Sequence, residues 1–244
     1  MHLLDILAFG AHPDDVELCC GGTVISHVQQ GKKVGVIDFT RGELGTRGNP
    51  GIRYQEAAKA SEIMGLVVRE NMGFADGFFS NDSVHKIAVI KKIRQYRPEI
   101  VLAPSVYDRH PDHGRAAELV AEACFLAGLR KIETLDEKGK LQEAWRPRAV
   151  YHYLQDTFLM PNFVVDISAS MEKKIEAIKA YSSQIHDENY KADSNEPETY
   201  ISNADYLERI YARNREVGKQ AGCQFAEGFV VKRVVGVKNL FELM

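Results

Sequence analysis

Ala11-His12-Pro13-Asp14-Asp15 and His110-Pro111-Asp112-His113 each crowd imidazoles and carboxylates around a proline. Together they hold three His and three Asp, enough for a set of metal ligands plus an acid–base pair. Zinc and similar divalent ions are held in catalytic sites by about three His or carboxylate ligands, with one position left for water. Such clusters also serve as plain turns, since Pro fixes φ and Asp caps the following helix. Two of them, each directly after a short apolar run, outweigh that explanation and point to a metal site. His12 and Asp15, three residues apart, can face one ion, and His113 can close the set. A bound ion lowers the pKa of its water to about 7 and polarises a carbonyl. Hydrolysis also needs a base and a proton donor. Asp14, beside Asp15, is placed to be the base. His110 is the candidate acid or oxyanion stabiliser, with Asp112 fixing its tautomer.

The surrounding pattern says how these segments meet. Apolar runs at 3–10, 33–39, 66–71 and 99–103 read as strands. Between them lie helical stretches at 16–30, 53–64 and 83–96, and another follows at 113–127. Gly31, Gly65 and Pro98 punctuate the helix ends. Strands alternating with helices predict an α/β fold, a doubly wound, mostly parallel Rossmann-like sheet. Ligands bind such sheets outside the carboxyl ends of the strands. Loops 11–15, 40–53, 73–79 and 104–113 all follow strands and should converge there. Beyond a charged loop at 129–146, strands are expected at 149–154 and 163–167, helices at 170–185 and 204–218, and a β-rich end at 227–237. The polar stretch 186–202 reads equally as an ordered lid or a mobile loop. No composition break divides the chain, so residues 1–244 are expected to form one domain.

The bulk numbers narrow the function. The 244 residues carry a net charge of -3, which argues against a general nucleic-acid binder. No signal peptide is evident, and no apolar run approaches the ~20 residues that span a bilayer. Cys19, Cys20, Cys124 and Cys223 lack CxxC spacing and read as reduced thiols of a cytoplasmic protein. A nucleotide-binding module would carry its glycine fingerprint after the first strand, where the acidic pair here would repel a pyrophosphate. A two-metal phosphoesterase needs more carboxylates to hold ions ~4 Å apart. A structural zinc site would be closed and cysteine-rich.

The pattern Ala11-His12-Pro13-Asp14-Asp15-Val16-Glu17, then Gly21-Gly22, with His110-Pro111-Asp112-His113 downstream, resembles the PIG-L/LmbE-like family of zinc-dependent N-acetylglucosamine deacetylases. The matched elements cover residues 1 to 127. Two further stretches, Thr40-Arg41-Gly42-Glu43-Leu44-Gly45-Thr46-Arg47-Gly48 and Ala226-Glu227-Gly228-Phe229, resemble its bacillithiol-biosynthesis branch, whose members deacetylate N-acetylglucosaminyl malate. The resemblance implies one zinc ion per chain, or another divalent ion, on His12, Asp15 and His113. It implies Asp14 as general base and His110 as stabiliser of the charged transition state. It also implies a small-molecule sugar conjugate as partner and a homo-oligomer, a hexamer or a smaller even-numbered form. Malate is the expected aglycone, with inositol, another thiol precursor and an oligosaccharide left open.

Other residues divide between roles. The mycothiol-type branch has a tyrosine two residues before the first His of the second motif. Here that position is Asp108, with Tyr107 one residue earlier, so the polarising donor stays open. Arg53 alone reads as a solvated helix residue. The resemblance instead implies an arginine against the substrate, a role that suits bidentate carboxylate binding. Asp76 reads as either an acceptor of sugar hydroxyls or an ordinary turn residue. Arg109 and Arg41 are further candidates for the malate carboxylates. His2, His27, His85, His152 and His186 have no partner spacing and read as surface or structural residues, and Trp145 as packing.

Overall fold

The computed structural model describes residues 3–190 and 196–243. The described strands β1 (Ile6–Gly10), β2 (Val34–Thr40), β3 (Val68–Phe74), β4 (Ile100–Ala103), β5 (Ala149–Tyr153), β6 (Phe163–Asp166) and β7 (Ala226–Val230) form one sheet. Their order is β3-β2-β1-β4-β5-β7-β6. The first five run parallel, whereas β7 is antiparallel to both β5 and β6. The α/β, mostly parallel arrangement expected from the alternation of elements is what forms.

Period-two alternation gives each central strand two apolar faces. On β1, Leu7 and Phe9 join a core with α3 (Ser83–Tyr96) and α4 (Pro111–Ala127). Ile6 and Ala8 face the other way, toward α1 (Asp15–Gln29). On that side α2 (Pro50–Met64) and α5 (Met171–Lys179) pack together with α1, while α6 (Tyr206–Ala221) lies on β6 and β7. From β1 the chain winds outward to β2 and β3, and from β4 outward to β5. The β1 and β4 exits therefore flank the reversal point where such sheets bind ligands.

α1 is held in place by charge from the far end of the chain. It is broken at Cys20 (φ −138°, ψ 17°). The Gly22 and Thr23 N–H groups donate to the Glu227 carboxylate at 3.0 and 2.7 Å. Lys174 Nζ neutralises that carboxylate at 2.6 Å, with both side chains buried. A Cβ on Gly22 would come within 2.7 Å of Ile167, so a larger residue there would push α1 away.

Some boundaries differ from expectation. The helix expected at 170–185 ends at Lys179. Beyond it the Ser183 N–H and hydroxyl both bond the Glu56 carboxylate, at 2.7 and 2.8 Å, drawing the backbone out of the helix. The β-rich end forms a strand only over Ala226–Val230, because Phe229 already meets Phe163 at the start of β6. A single 3-10 turn follows at Leu240–Leu243. β3 extends to Phe74, part of an expected loop, since Phe74 pairs with Thr40 past a bulge. Of the stretch 186–202, residues 191–195 lie outside the described residues, as does His2. Among the described residues, no helix is long and apolar enough to cross a membrane.

Candidate active site

At the carboxyl edge of β1 the chain turns sharply into α1. Asp14, at this turn, has φ 119°, a conformation that side chains other than glycine rarely adopt. Strain of this kind persists only where surrounding contacts enforce it, and it concentrates at functional sites. Here the contacts come from Arg53 on α2. Its guanidinium pairs with Asp14 Oδ2 at 3.0 Å and donates to the Pro13 carbonyl. The glycine-rich loop after β2 makes room for it. Gly42 (φ 66°) passes so close that a Cβ would collide with the guanidinium, and Gly45 lies beside it. Burial pushes the Asp14 carboxyl up to about 7 against the opposing charge of Arg53.

Asp15 opens α1 and faces two imidazoles. Its Oδ2 accepts the His12 N–H at 2.9 Å and lies 3.6 Å from His12 Nδ1. Its Oδ1 is 3.2 Å from His113 Nε2 and accepts from Gln155 at 3.2 Å. Each ring is backed by carboxylate on its far side. His12 Nε2 lies 3.1 Å from Asp76 Oδ1 and 3.4 Å from Asp112 Oδ2. His113 Nδ1 lies 2.6 Å from Asp108 Oδ2. Burial alone would lower the pKa of both rings. Hydrogen bonds from His12 to Asp112, Asp15 and Asp76 nevertheless carry it well above its ordinary value. The charge of Asp15 and the bond to Asp108 take His113 to about 9. Burial works the other way on the carboxyls, yet bonds to the imidazoles and to backbone N–H groups hold Asp76 and Asp108 at about 2.

This donor set suits a divalent cation. Asp15 sits between two imidazoles, each oriented by carboxylate on its other nitrogen, the support that metal-ligating histidines receive. The donor atoms of His12, His110 and His113 lie within 4.8 Å of one another, as do those of His12, Asp76 and Asp112. His110 stacks on His113 with centroids 5.0 Å apart. Its Nδ1 accepts the Asp112 backbone N–H at 3.3 Å, which leaves the proton of the neutral ring on Nε2. Burial and the neighbouring His12 and His113 lower its pKa, favouring that neutral form. His12, Asp14, Asp15, Asp76, His110 and His113 line a cavity of about 280 Å³ that opens to solvent.

The structure brings together His12, Asp14, Asp15, His110 and His113, from the loops after β1 and β4, but revises several expected partners. The Asp112 carboxylate does not reach His110. It is spent on the Gly77 N–H, Arg115 and His12, because the α4 N-terminus turns it toward the loop after β3. Asp76, read as either a sugar-hydroxyl acceptor or a turn residue, places Oδ1 3.1 Å from His12 Nε2 and accepts the Leu44 N–H on Oδ2 at 2.9 Å. Arg53 pairs with Asp14 through Nη2, while its buried Nε has no hydrogen-bond partner at the cavity wall. Arg109 lies at the cavity but pairs with Asp156 at 2.6 Å. Arg41 lies against Gly73 and lines a different groove. Asp108, read as a departure from a tyrosine, proves to be the group behind His113. Gln155 and Asp156 follow β5, and the strand-end rule applied to that strand would have flagged them. His152 is buried with Nδ1 2.8 Å from the Pro104 carbonyl oxygen, and Trp145 packs on the α3–α4 core and donates to the Pro98 carbonyl.

Comparison with known proteins gives this geometry a context. The PIG-L family model, described as GlcNAc-PI de-N-acetylase, matches residues 7–124. The chain is 29% identical to a diacetylchitobiose deacetylase of Thermococcus kodakarensis, over 91% of this chain and 81% of that protein. It is 27% identical to a protein of Bacillus anthracis named probable N-acetyl-alpha-D-glucosaminyl L-malate deacetylase 2, over 73% of this chain and 80% of the other. The crystal structure of a conserved protein from Thermus thermophilus is 35% identical. It covers 98% of this chain and 99% of its own, with a TM-score of 0.85.

Proposed function

Because the chain belongs to the PIG-L family of de-N-acetylases, we propose that it is a metal-dependent hydrolase that removes the acetyl group from an N-acetylglucosaminyl conjugate. The observation that carries this reading is Asp15 between two carboxylate-backed imidazoles, with the strained, buried Asp14 next to it. His12, Asp15 and His113 are the proposed ligands, with zinc as the ion. When bound, such an ion would act as a Lewis acid and lower the pKa of water at the site.

The remaining work falls to the chain. Asp14 takes the proton of the attacking water, and a carboxyl raised to about 7 is a stronger base than an ordinary aspartate. Arg53 holds that carboxylate in its ionised form and fixes its direction. His110 presents Nε2–H to the amide oxygen as negative charge develops there. Asp14 then returns the proton to the departing amine, so that acetate and a free glucosamine amine leave. Asp76, Asp108 and Asp112 are positioning residues for the two ligand imidazoles.

The aglycone is proposed to be malate, in bacillithiol biosynthesis. Two sequence stretches and the Bacillus anthracis relative support this. The Thermococcus relative, matched over more of the chain, favours a neutral disaccharide as the second reading. The four free cysteines agree with a cytoplasmic setting, and a homo-oligomer is proposed on the sequence resemblance. The test is acetate release from malate, inositol and chitobiose conjugates during metal titration. Turnover that rises with bound metal supports the hydrolase, and a malate preference supports the branch. Turnover indifferent to metal contradicts both.

A further inference from the structure

Three guanidinium groups line the active-site cavity, those of Arg53, Arg109 and Arg213. Two already pair with a carboxylate of the chain. Arg53 holds Asp14 and the Pro13 carbonyl through Nη2 alone, its buried Nε having no partner. Arg109 holds Asp156 and lies over the Tyr200 ring, 4.9 Å from its centroid. Arg213 differs. Among the described residues it has no carboxylate within 4.0 Å and no hydrogen bond.

Its surroundings are apolar. Tyr206, Ile210 and Arg213 are spaced by four and three residues on α6, so they form one stripe along the cavity wall. Leu18 and Cys19 of α1 and Ile201 complete that wall. Burial pushes the Cys19 thiol and the Tyr206 hydroxyl upward, Asp15 and Asp108 adding to it at Cys19 and Asp14 and Asp156 at Tyr206, and the Arg213 charge opposes this at both. A half-buried cation without a counter-ion has given up part of its hydration for nothing in return. An anion arriving beside it meets a stronger field than on an open surface.

We infer that this wall is the aglycone subsite and that Arg213 binds an anionic group, a carboxylate or phosphate borne on a short aglycone. The inference rests on the deacetylase reading of the same cavity. A guanidinium offers a carboxylate or phosphate two parallel charge-assisted hydrogen bonds, whereas a neutral second sugar leaves the charge uncompensated. The anchor thus lies on α6, far in sequence from the arginines near the two motifs.

The experiment compares kcat/KM of the metal-loaded full chain on four substrates: N-acetylglucosaminyl malate, N-acetylglucosamine 1-phosphate, methyl N-acetylglucosaminide and diacetylchitobiose. Wild type, Arg213→Ala and Arg213→Lys are compared at equal metal content and matching circular dichroism. Wild type should prefer at least one anionic substrate, and the one that loses more in Arg213→Ala identifies carboxylate or phosphate. In Arg213→Ala the anionic-to-neutral ratio should fall about ten- to a hundred-fold, chiefly through KM. Arg213→Lys should recover part of it, since the charge stays and the fork is lost. If the alanine variant folds poorly, the same drop, smaller, is read in Arg213→Lys. A wild-type preference for the neutral substrates, or a ratio unmoved in both variants, overturns the inference while leaving the deacetylase intact. Release of acetate from none of the four overturns the deacetylase reading itself.

Discussion

At Asp14, backbone strain, burial and an ion pair act on one carboxyl. Burial raises it to about 7, and the charge of Arg53 is the main force in the opposite direction. Arg53→Lys keeps the charge but loses the guanidinium whose Nη2 reaches both Asp14 and the Pro13 carbonyl. The Asp14 carboxyl should then climb, because burial is less well opposed. A base must be ionised to act, so the acidic limb of kcat against pH should move to higher pH, with KM little changed. A KM effect with an unmoved pH limb would return Arg53 to the substrate. Asp108 makes the corresponding case for the metal. Asp108→Asn should weaken metal binding about 10- to 100-fold, measured by competition with a chelator, since the carboxylate behind a ligating imidazole sets its orientation and basicity. Unchanged affinity would remove Asp108 from the site. His12, Asp14, Asp15, His110 and His113 were legible because their types and spacing are local. The roles of Asp108, Gln155 and Arg213 were not, since they depend on a side-chain contact with His113, a bond to Asp15 and a cavity wall that spacing does not show. Arg53 and Asp76 were legible as site residues but not in their partners, because spacing does not reveal which of two nearby charges a side chain will satisfy.

Among elements, α1 carries the proposed ligand Asp15 at its start and depends on β7 and α5 for its middle. Glu227 takes two N–H groups released at the Cys20 break, and Lys174 compensates its charge. Removing one partner of a buried ion pair typically costs about 3–5 kcal/mol, whereas replacing both is far milder. Lys174→Met should therefore lower the stability read by urea unfolding by that amount, and Lys174→Met with Glu227→Gln should recover much of it. Equal losses in both variants would show that the pair does not act as a unit. The Gly21-Gly22 pair and the Ala226-Glu227-Gly228-Phe229 stretch were readable only as signatures. Their shared purpose, seating α1 on Ile167 and Glu227, needs contacts between residues more than 140 positions apart.

On the scale of the molecule, the parallel half of the sheet follows from alternating strands and helices, each of which buries its apolar face against the next. The insertion of β7 between β5 and β6 does not, because antiparallel pairing between residues 60 or more positions apart leaves no local pattern. The fold places the exits of β1 and β4 side by side, and with them the two motifs. Association into a homo-oligomer is proposed from sequence resemblance, and light scattering at micromolar concentration should give a mass at least twice that of one chain. A stable monomer would reject it.

In the proposed mechanism, a metal held by His12, Asp15 and His113 and a base at Asp14 together hydrolyse the acetamide of an N-acetylglucosaminyl conjugate. The decisive measurement is acetate release by wild type and Asp14→Asn, each reloaded to equal, measured metal content after chelation. Wild type should release acetate and amine in equal amounts, and Asp14→Asn should bind the metal normally while losing about 10²- to 10⁴-fold in kcat. An Asp14→Asn variant that keeps near-normal kcat, or a loaded wild type that releases no acetate, would contradict this mechanism.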